Sequence, residues 1–170
     1  MNTVLFSAKD IATRIEDLAD ELVRLNRRPE IASPILAGAF VFAADLLRAL
    51  ALRGLLLPVE FLWLRSYGQR RTSSGEIAVL APPGESVRGR RVLLLDGVLD
   101  HGHTLERARE LLIEAGAADV ISAVAVDKRR ADARMRADHA AFKNVDRFVV
   151  GYGMDDAGKG RTLPYIAAMD

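Results

Sequence analysis

Apolar residues recur at helical spacing behind Ser7, at Ile11, Ile15, Leu18, Leu22 and Leu25, which predicts a helix capped by Ser7 and running into the mid-twenties. Pro34 to Ala37 is a short apolar segment broken by Gly38, and Phe40 to Leu52 then follows a helical pattern stopped by Gly54. This reads as strand, tight turn, helix. Leu57 to Leu64, rich in Val, Phe, Trp and Leu, predicts a second buried strand with Trp63 as a packing residue. Ser66 to Gly75 has turn residues and little to bury, and a short strand pattern follows at Glu76 to Leu80; a mobile loop between paired strands fits.

Arg91 to Asp96 is a continuous apolar run ending in an acid, as expected of a central strand in a parallel sheet. Thr104 to Ala115 has a helical pattern closed by Gly116, and Val120 to Val126 is the next strand. Residues 91 to 126 therefore form a βαβ crossover, expected to be right-handed. Asp127 to Lys143 is charged and short on large apolar residues and predicts no element; Arg147 to Tyr152 and Leu163 to Ala168 are strand candidates. The alternation predicts an α/β fold with a mostly parallel sheet flanked by helices, whose ligands gather beyond the carboxyl ends of the strands.

The length of 170 residues suits one domain, 1–170. A net charge of +1 gives no global attraction for nucleic acid, and the absence of cysteine excludes disulfides, thiolate metal sites and cysteine nucleophiles. The amino terminus lacks a basic start followed by an apolar core, and the apolar stretch from 39 to 64 is interrupted by Asp45, Arg48, Arg53 and Glu60. Neither secretion nor a membrane span is expected, and a cytoplasmic location is the simplest reading.

The segment RVLLLDGVLDHGHTL, residues 91–105, concentrates the candidate chemistry. Gly102 permits a loop whose amides approach a phosphate closely, the following helix adds its positive end, and Thr104 adds a hydroxyl. Beside a bound phosphate, Asp96 and Asp100 would serve as acceptors for sugar hydroxyls, as partners of Mg²⁺, or as a general base. The plainer alternative is that Asp96 ends a strand, Asp100 turns the loop and Thr104 caps the helix. His101 and His103, with no third ligand of matching spacing, do not make a metal site.

DGVLDHGHT resembles the phosphoribosyl-pyrophosphate (PRPP) motif of type I phosphoribosyltransferases. ILAGAFVFAADLLRAL, FLWLRSYGQRRTSSGE, VAVDKR and DRFVVGYGMDDAGKGRTLPYI are similar, in the same order, to segments of the hypoxanthine-guanine branch. The resemblance implies a small hood formed by the chain termini and transfer of phosphoribosyl from PRPP to a 6-oxopurine with Mg²⁺ as cofactor. It implies Asp100 as general base, Asp96, His101, Gly102, His103 and Thr104 at the ribose and 5′-phosphate, and Ala37, Gly38 and Arg161 at pyrophosphate. Lys128, Phe148, Val149 and Asp155 would meet the purine, Asp155 and Asp96 the metal, and Ser66 and Tyr67 would begin a closing lid. The implied partners are these two small molecules and a second copy of the chain, as homodimer or homotetramer with the 40–52 helix at the contact; no nucleic acid or membrane is implied.

Two departures stand out. The family's second acid at the strand end is Gly97 here, and Ala37 occupies a place where some members carry lysine. A missing charged hydrogen bond of about 1.5 to 3 kcal/mol would weaken PRPP binding roughly 10- to 100-fold. A weakly active homologue that binds PRPP or a purine nucleotide as a regulator is therefore the alternative. A nucleic-acid role for the basic stretch Lys128 to Arg136, with Arg70, Arg71, Arg88, Arg90 and Arg91, is a third reading, disfavoured by the interleaved acids.

Overall fold

The computed structural model describes residues 3–67 and 76–169. In chain order the elements are β1 (Thr3–Phe6), α1 (Ala8–Val23), β2 (Ile31–Leu36), α2 (Phe40–Leu52), β3 (Leu62–Tyr67), β4 (Glu76–Ala81), β5 (Arg91–Leu99), α3 (His103–Glu114), β6 (Asp119–Asp127), β7 (His139–Lys143), β8 (Phe148–Val150) and β9 (Ile166–Met169). A short 3-10 turn at Glu85–Val87 precedes β5. Six strands form the main sheet in the order β4-β3-β2-β5-β6-β7, and β1-β9-β8 form a separate antiparallel sheet, the hood made from the two ends of the chain.

Every pairing in the main sheet is parallel except β3 with β4. Alternate residues of β5 serve two cores: Leu93 and Leu95 pack with α1 and α2, while Val92 and Leu94 pack with α3. A strand covered on both faces must be apolar at every covered position, which is why 92–95 reads as an unbroken run. Ser7 caps α1 with a full capping box to Asp10, and Gly54 and Gly116, both at positive φ, follow the ends of α2 and α3.

Four expectations need correcting. The strand expected at Leu57–Leu64 begins only at Leu62 and is covered on one face: Leu62 and Leu64 are buried, whereas Phe61 and Trp63 are exposed. Trp63 is thus not a core packing residue. The strand expected to end at Asp96 continues to Leu99, so Asp96 lies inside β5, just past the last β2 partner of that strand (Pro34 with Leu95). The segment 127–143, assigned no element, contains β7, whose Ala140, Ala141 and Phe142 are buried. Alanines carry too little hydrophobic contrast to mark a strand by pattern.

The packing identifies Phe42, fully buried between α1, α2 and the sheet, as a main anchor of the first core. Phe42→Ala is expected to cost about 3 to 5 kcal/mol, lowering Tm on the order of 10 °C by calorimetry. Ile113→Ala, on the exposed side of α3, should shift Tm by no more than about 2 °C.

Candidate active site

The connection leaving β2 leads through α2 to β3 on one side, and that leaving β5 leads through α3 to β6 on the other. Neighbouring parallel strands whose connections diverge leave a crevice at their carboxyl ends, where α/β folds bind ligands. Both helices that start there lack a side-chain cap among the described residues: α2 begins after Ala39 and α3 after Gly102. The helix-start amides at two such ends suit two anionic groups. Thr104 is accordingly not the cap of α3; it lies in the first turn.

Gly102 adopts φ +87°, and a Cβ there would lie 3.2 Å from the Met135 amide nitrogen, so the loop at 100–104 needs glycine both for its conformation and for its space. Asp100 sits in this loop. Its Oδ2 accepts from Lys128 Nζ at 2.7 Å. Its Oδ1 is buried without an aligned hydrogen bond, while Arg130 Nε and His101 Nδ1 stand 3.3 and 3.4 Å away. A carboxylate oxygen enclosed by cations but lacking a directed donor is ready to accept one from a ligand. Lys128 Nζ also lies 6.0 Å from the centroid of the Phe148 ring, which is partly exposed on β8. Among the described strands β8 pairs only with β9, leaving its other edge, with Val149, without a strand partner.

Arg161 Nη1 donates to the Gly153 carbonyl at 2.7 Å, and Arg161 Nη2 pairs with Asp155 Oδ1 at 2.7 Å. Asp155 Oδ2 accepts from the Gly158 amide. Gly153 in turn abuts the carbonyl of Gly38, so Arg161 and the Ala37–Gly38 turn, which contains a cis peptide at Leu36–Ala37, meet at one place. Asp96 differs from these acids. Its Oδ1 accepts from the Gly97 amide and no cation among the described residues pairs with it; burial pushes its pKa up to about 7. Ser66 and Tyr67 are the last residues of β3, paired with Ile77 and Glu76, and the rest of the expected lid, 68–75, lies outside the described residues.

A family model for "Phosphoribosyl transferase domain" matches residues 2–157. The hypoxanthine-guanine phosphoribosyltransferases of Aquifex aeolicus and Bacillus subtilis are each 34% identical to this chain, over 96% and 98% of it and 92% of their own length. Among solved structures, a hypoxanthine phosphoribosyltransferase from Staphylococcus aureus superposes with a TM-score of 0.86 at 29% identity, over 98% of this chain and 90% of that one. The Trypanosoma cruzi hypoxanthine phosphoribosyltransferase in complex with the product IMP gives 0.85 at 29% identity, over 98% and 93%. The chain belongs to the phosphoribosyltransferase family.

In this phosphoribosyltransferase the basic stretch after β6 is not a free patch. Arg129 pairs with buried Asp127, Arg130 with Asp100 and Asp132, and Arg134 with Glu106. That accounts for the acids interleaved with it. Arg130, not singled out from the sequence, is the residue the structure adds to the site; only its place two positions after Lys128 hinted at it. Tyr152 is a second addition: its hydroxyl donates to Asp45 of α2 at 2.8 Å, tying the segment after β8 to the helix that starts at the crevice. A wide concavity of about 650 Å³ lies on the outer side of α3, lined by Glu106, Arg109 and Ile113 among others.

Asp96 makes a pH-dependent contribution to stability. Its folded pKa of about 7 lies above the ordinary 3.8, so between these values the native state holds a proton that the unfolded chain has released. Stability from this group is therefore full below about pH 4 and is lost as pH rises through about 7. Thermal melts at pH 5 and pH 8 should show a Tm loss on the order of 5 °C larger for the wild type than for Asp96→Asn.

Proposed function

We propose that this phosphoribosyltransferase is a cytoplasmic purine-salvage enzyme, which transfers 5-phosphoribosyl from PRPP to N9 of hypoxanthine or guanine and yields IMP or GMP and pyrophosphate. The observation that carries the reading is the Asp100–Lys128 pair in a crevice flanked by two uncapped helix starts. A 6-oxopurine protonated at N7 presents a donor at N7 beside an acceptor at O6. Asp100 and Lys128 present an acceptor beside a donor, 2.7 Å apart, and each can exchange its present partner for the base. Adenine would set its amino group against the Lys128 ammonium, leaving a buried donor unpaired at about 1 to 3 kcal/mol, or roughly 10- to 100-fold in selectivity.

In this reading the loop from His101 to Thr104 and the start of α3 hold the 5′-phosphate, and the Ala37–Gly38 turn with Arg161 holds pyrophosphate. Phe148 stacks on the purine and the free edge of β8 at Val149 reads its rim, with Asp155 nearby. Asp100 takes the N7 proton as N9 bonds to C1 of the ribose and pyrophosphate departs, so catalysis is positioning plus fixed charge.

Among the described residues no group of three or more acids and histidines could cage a metal. The carboxylate of Asp96, with no cation paired to it among the described residues, suits Mg²⁺ held mainly by substrate oxygens and water, with Asp155 available once released from Arg161. Such an ion would offset the negative charge gathering on pyrophosphate.

Self-association as a dimer or tetramer belongs to the same reading. Exposed apolar side chains at Leu52, Leu56, Val59, Phe61 and Trp63 run from the end of α2 into β3, and they support a second copy as their cover. Light scattering should return at least twice the 18.6 kDa chain mass.

Purified protein with PRPP and Mg²⁺ should form IMP from hypoxanthine or GMP from guanine, resolved by chromatography, with little AMP from adenine. Asp100→Asn is expected to lower kcat about 10²- to 10⁴-fold. Absence of nucleotide from every 6-oxopurine, in protein that still shifts its melting temperature with PRPP, would sink the reading in favour of a ligand-binding regulator.

A further inference from the structure

We propose that Gly97 is a positioning residue for the Ala37–Gly38 turn, its missing side chain being what seats that turn against β5; the proposal rests on the reading of the turn as the pyrophosphate site. A Cβ at Gly97 would fall 2.6 Å from the Gly38 carbonyl oxygen, 3.0 Å from its carbon and 3.3 Å from Met154 Cγ. A Cβ at Gly153 would lie 2.6 Å from the same oxygen. Two glycines from separate parts of the chain therefore form the walls of one slot, and the Gly38 carbonyl fills it.

The slot does work that the sheet does not do here. Pairing of β2 with β5 ends at Pro34 and Leu95, so no strand ladder between them holds the turn opposite Gly97. The Gly38 oxygen sits in the slot, while the Ala39 amide at the other end of that peptide donates to the Ile35 carbonyl at 3.2 Å. With both ends of the plane held, the direction of the backbone entering it is fixed. Arg161 grips the far wall through the Gly153 carbonyl, so the turn and its arginine are set relative to each other. Any side chain at 97 meets backbone rather than a flexible tip, and the turn must move off β5 to admit it.

An acid at 97, the residue the family resemblance leads one to expect, is therefore incompatible with the turn as it lies in this chain. Gly97 is not simply a lost carboxylate: it exchanges a side-chain acceptor for a closely seated turn. Restoring the acid alone should harm the site, because displacement by about 1 Å can cost on the order of 10²-fold in rate.

The test compares full-length wild type, Gly97→Ala and Gly97→Asp by steady-state kinetics and by calorimetric titration with Mg²⁺-pyrophosphate. Gly97→Ala should raise KM for PRPP and Kd for pyrophosphate roughly 10-fold, with KM for hypoxanthine changed less than about 3-fold. Gly97→Asp should do no better. An unchanged KM for PRPP in Gly97→Ala, a uniform rise in both KM values, or a higher kcat/KM in Gly97→Asp than in wild type would overturn the proposal. Should the variants not fold, a crystal structure of the wild type with Mg²⁺-pyrophosphate decides the matter: the Gly38 carbonyl lodged between Gly97 and Gly153 supports it, and a carbonyl turned out of that slot refutes it. Wild-type protein that makes nucleotide yet binds no pyrophosphate at this turn would instead refute the reading of the turn itself.

Discussion

The divergence of the chain at the ends of β2 and β5 is the constraint on which the rest depends. Two adjacent parallel strands send their connections to opposite sides, and a gap opens between them. Each strand is followed by a helix whose first turn faces that gap without a cap, whereas α1, which does not begin at a main-sheet strand end, is fully capped by Ser7 and Asp10. Helix starts without a side-chain cap thus lie where an anionic ligand would meet them.

The charged groups around the gap are arranged in pairs that hold one another in the absence of ligand. Lys128 with Asp100, and Arg161 with Asp155, lie at 2.7 Å. A desolvated ion left alone is costly, so these contacts keep the site compatible with folding while leaving each partner exchangeable. Asp96 has no such partner among the described residues, and burial shifts its carboxyl upward.

Much of this was legible in the chain. The apolar run before Asp96 read as a central strand, which β5 is, and Asp100 and Gly102 were expected in the loop that follows it, with Thr104 in the helix beyond. The misses have physical causes. β7 is built around Ala140 and Ala141, small residues buried in the two opposite cores that do not stand out against polar neighbours, and Arg14 of α1 reaches across to the Ala141 carbonyl. Trp63 was expected in the core because size and hydrophobicity do not say which face of a half-covered strand a residue takes. Arg130 was hidden in a charge-rich stretch, where only the fold reveals which ions meet. Gly97 read as a deletion of chemistry; that its lack of a side chain accommodates a carbonyl from another element is a tertiary fact that no local pattern carries.

The composition of the hood sets an order of assembly. β8, which carries Phe148 and Val149, has β9 as its only strand partner among the described strands, and β9 lies at 166–169. The loop at 100–104 and the helix that follows it are synthesised well before that partner exists. On a growing chain the half of the crevice proposed to hold phosphate can therefore take shape early, while the wall proposed for the aromatic base stays unzipped until residues 166–169 have been made. On that reading, a nascent chain would be competent for anions before it could tell one purine from another.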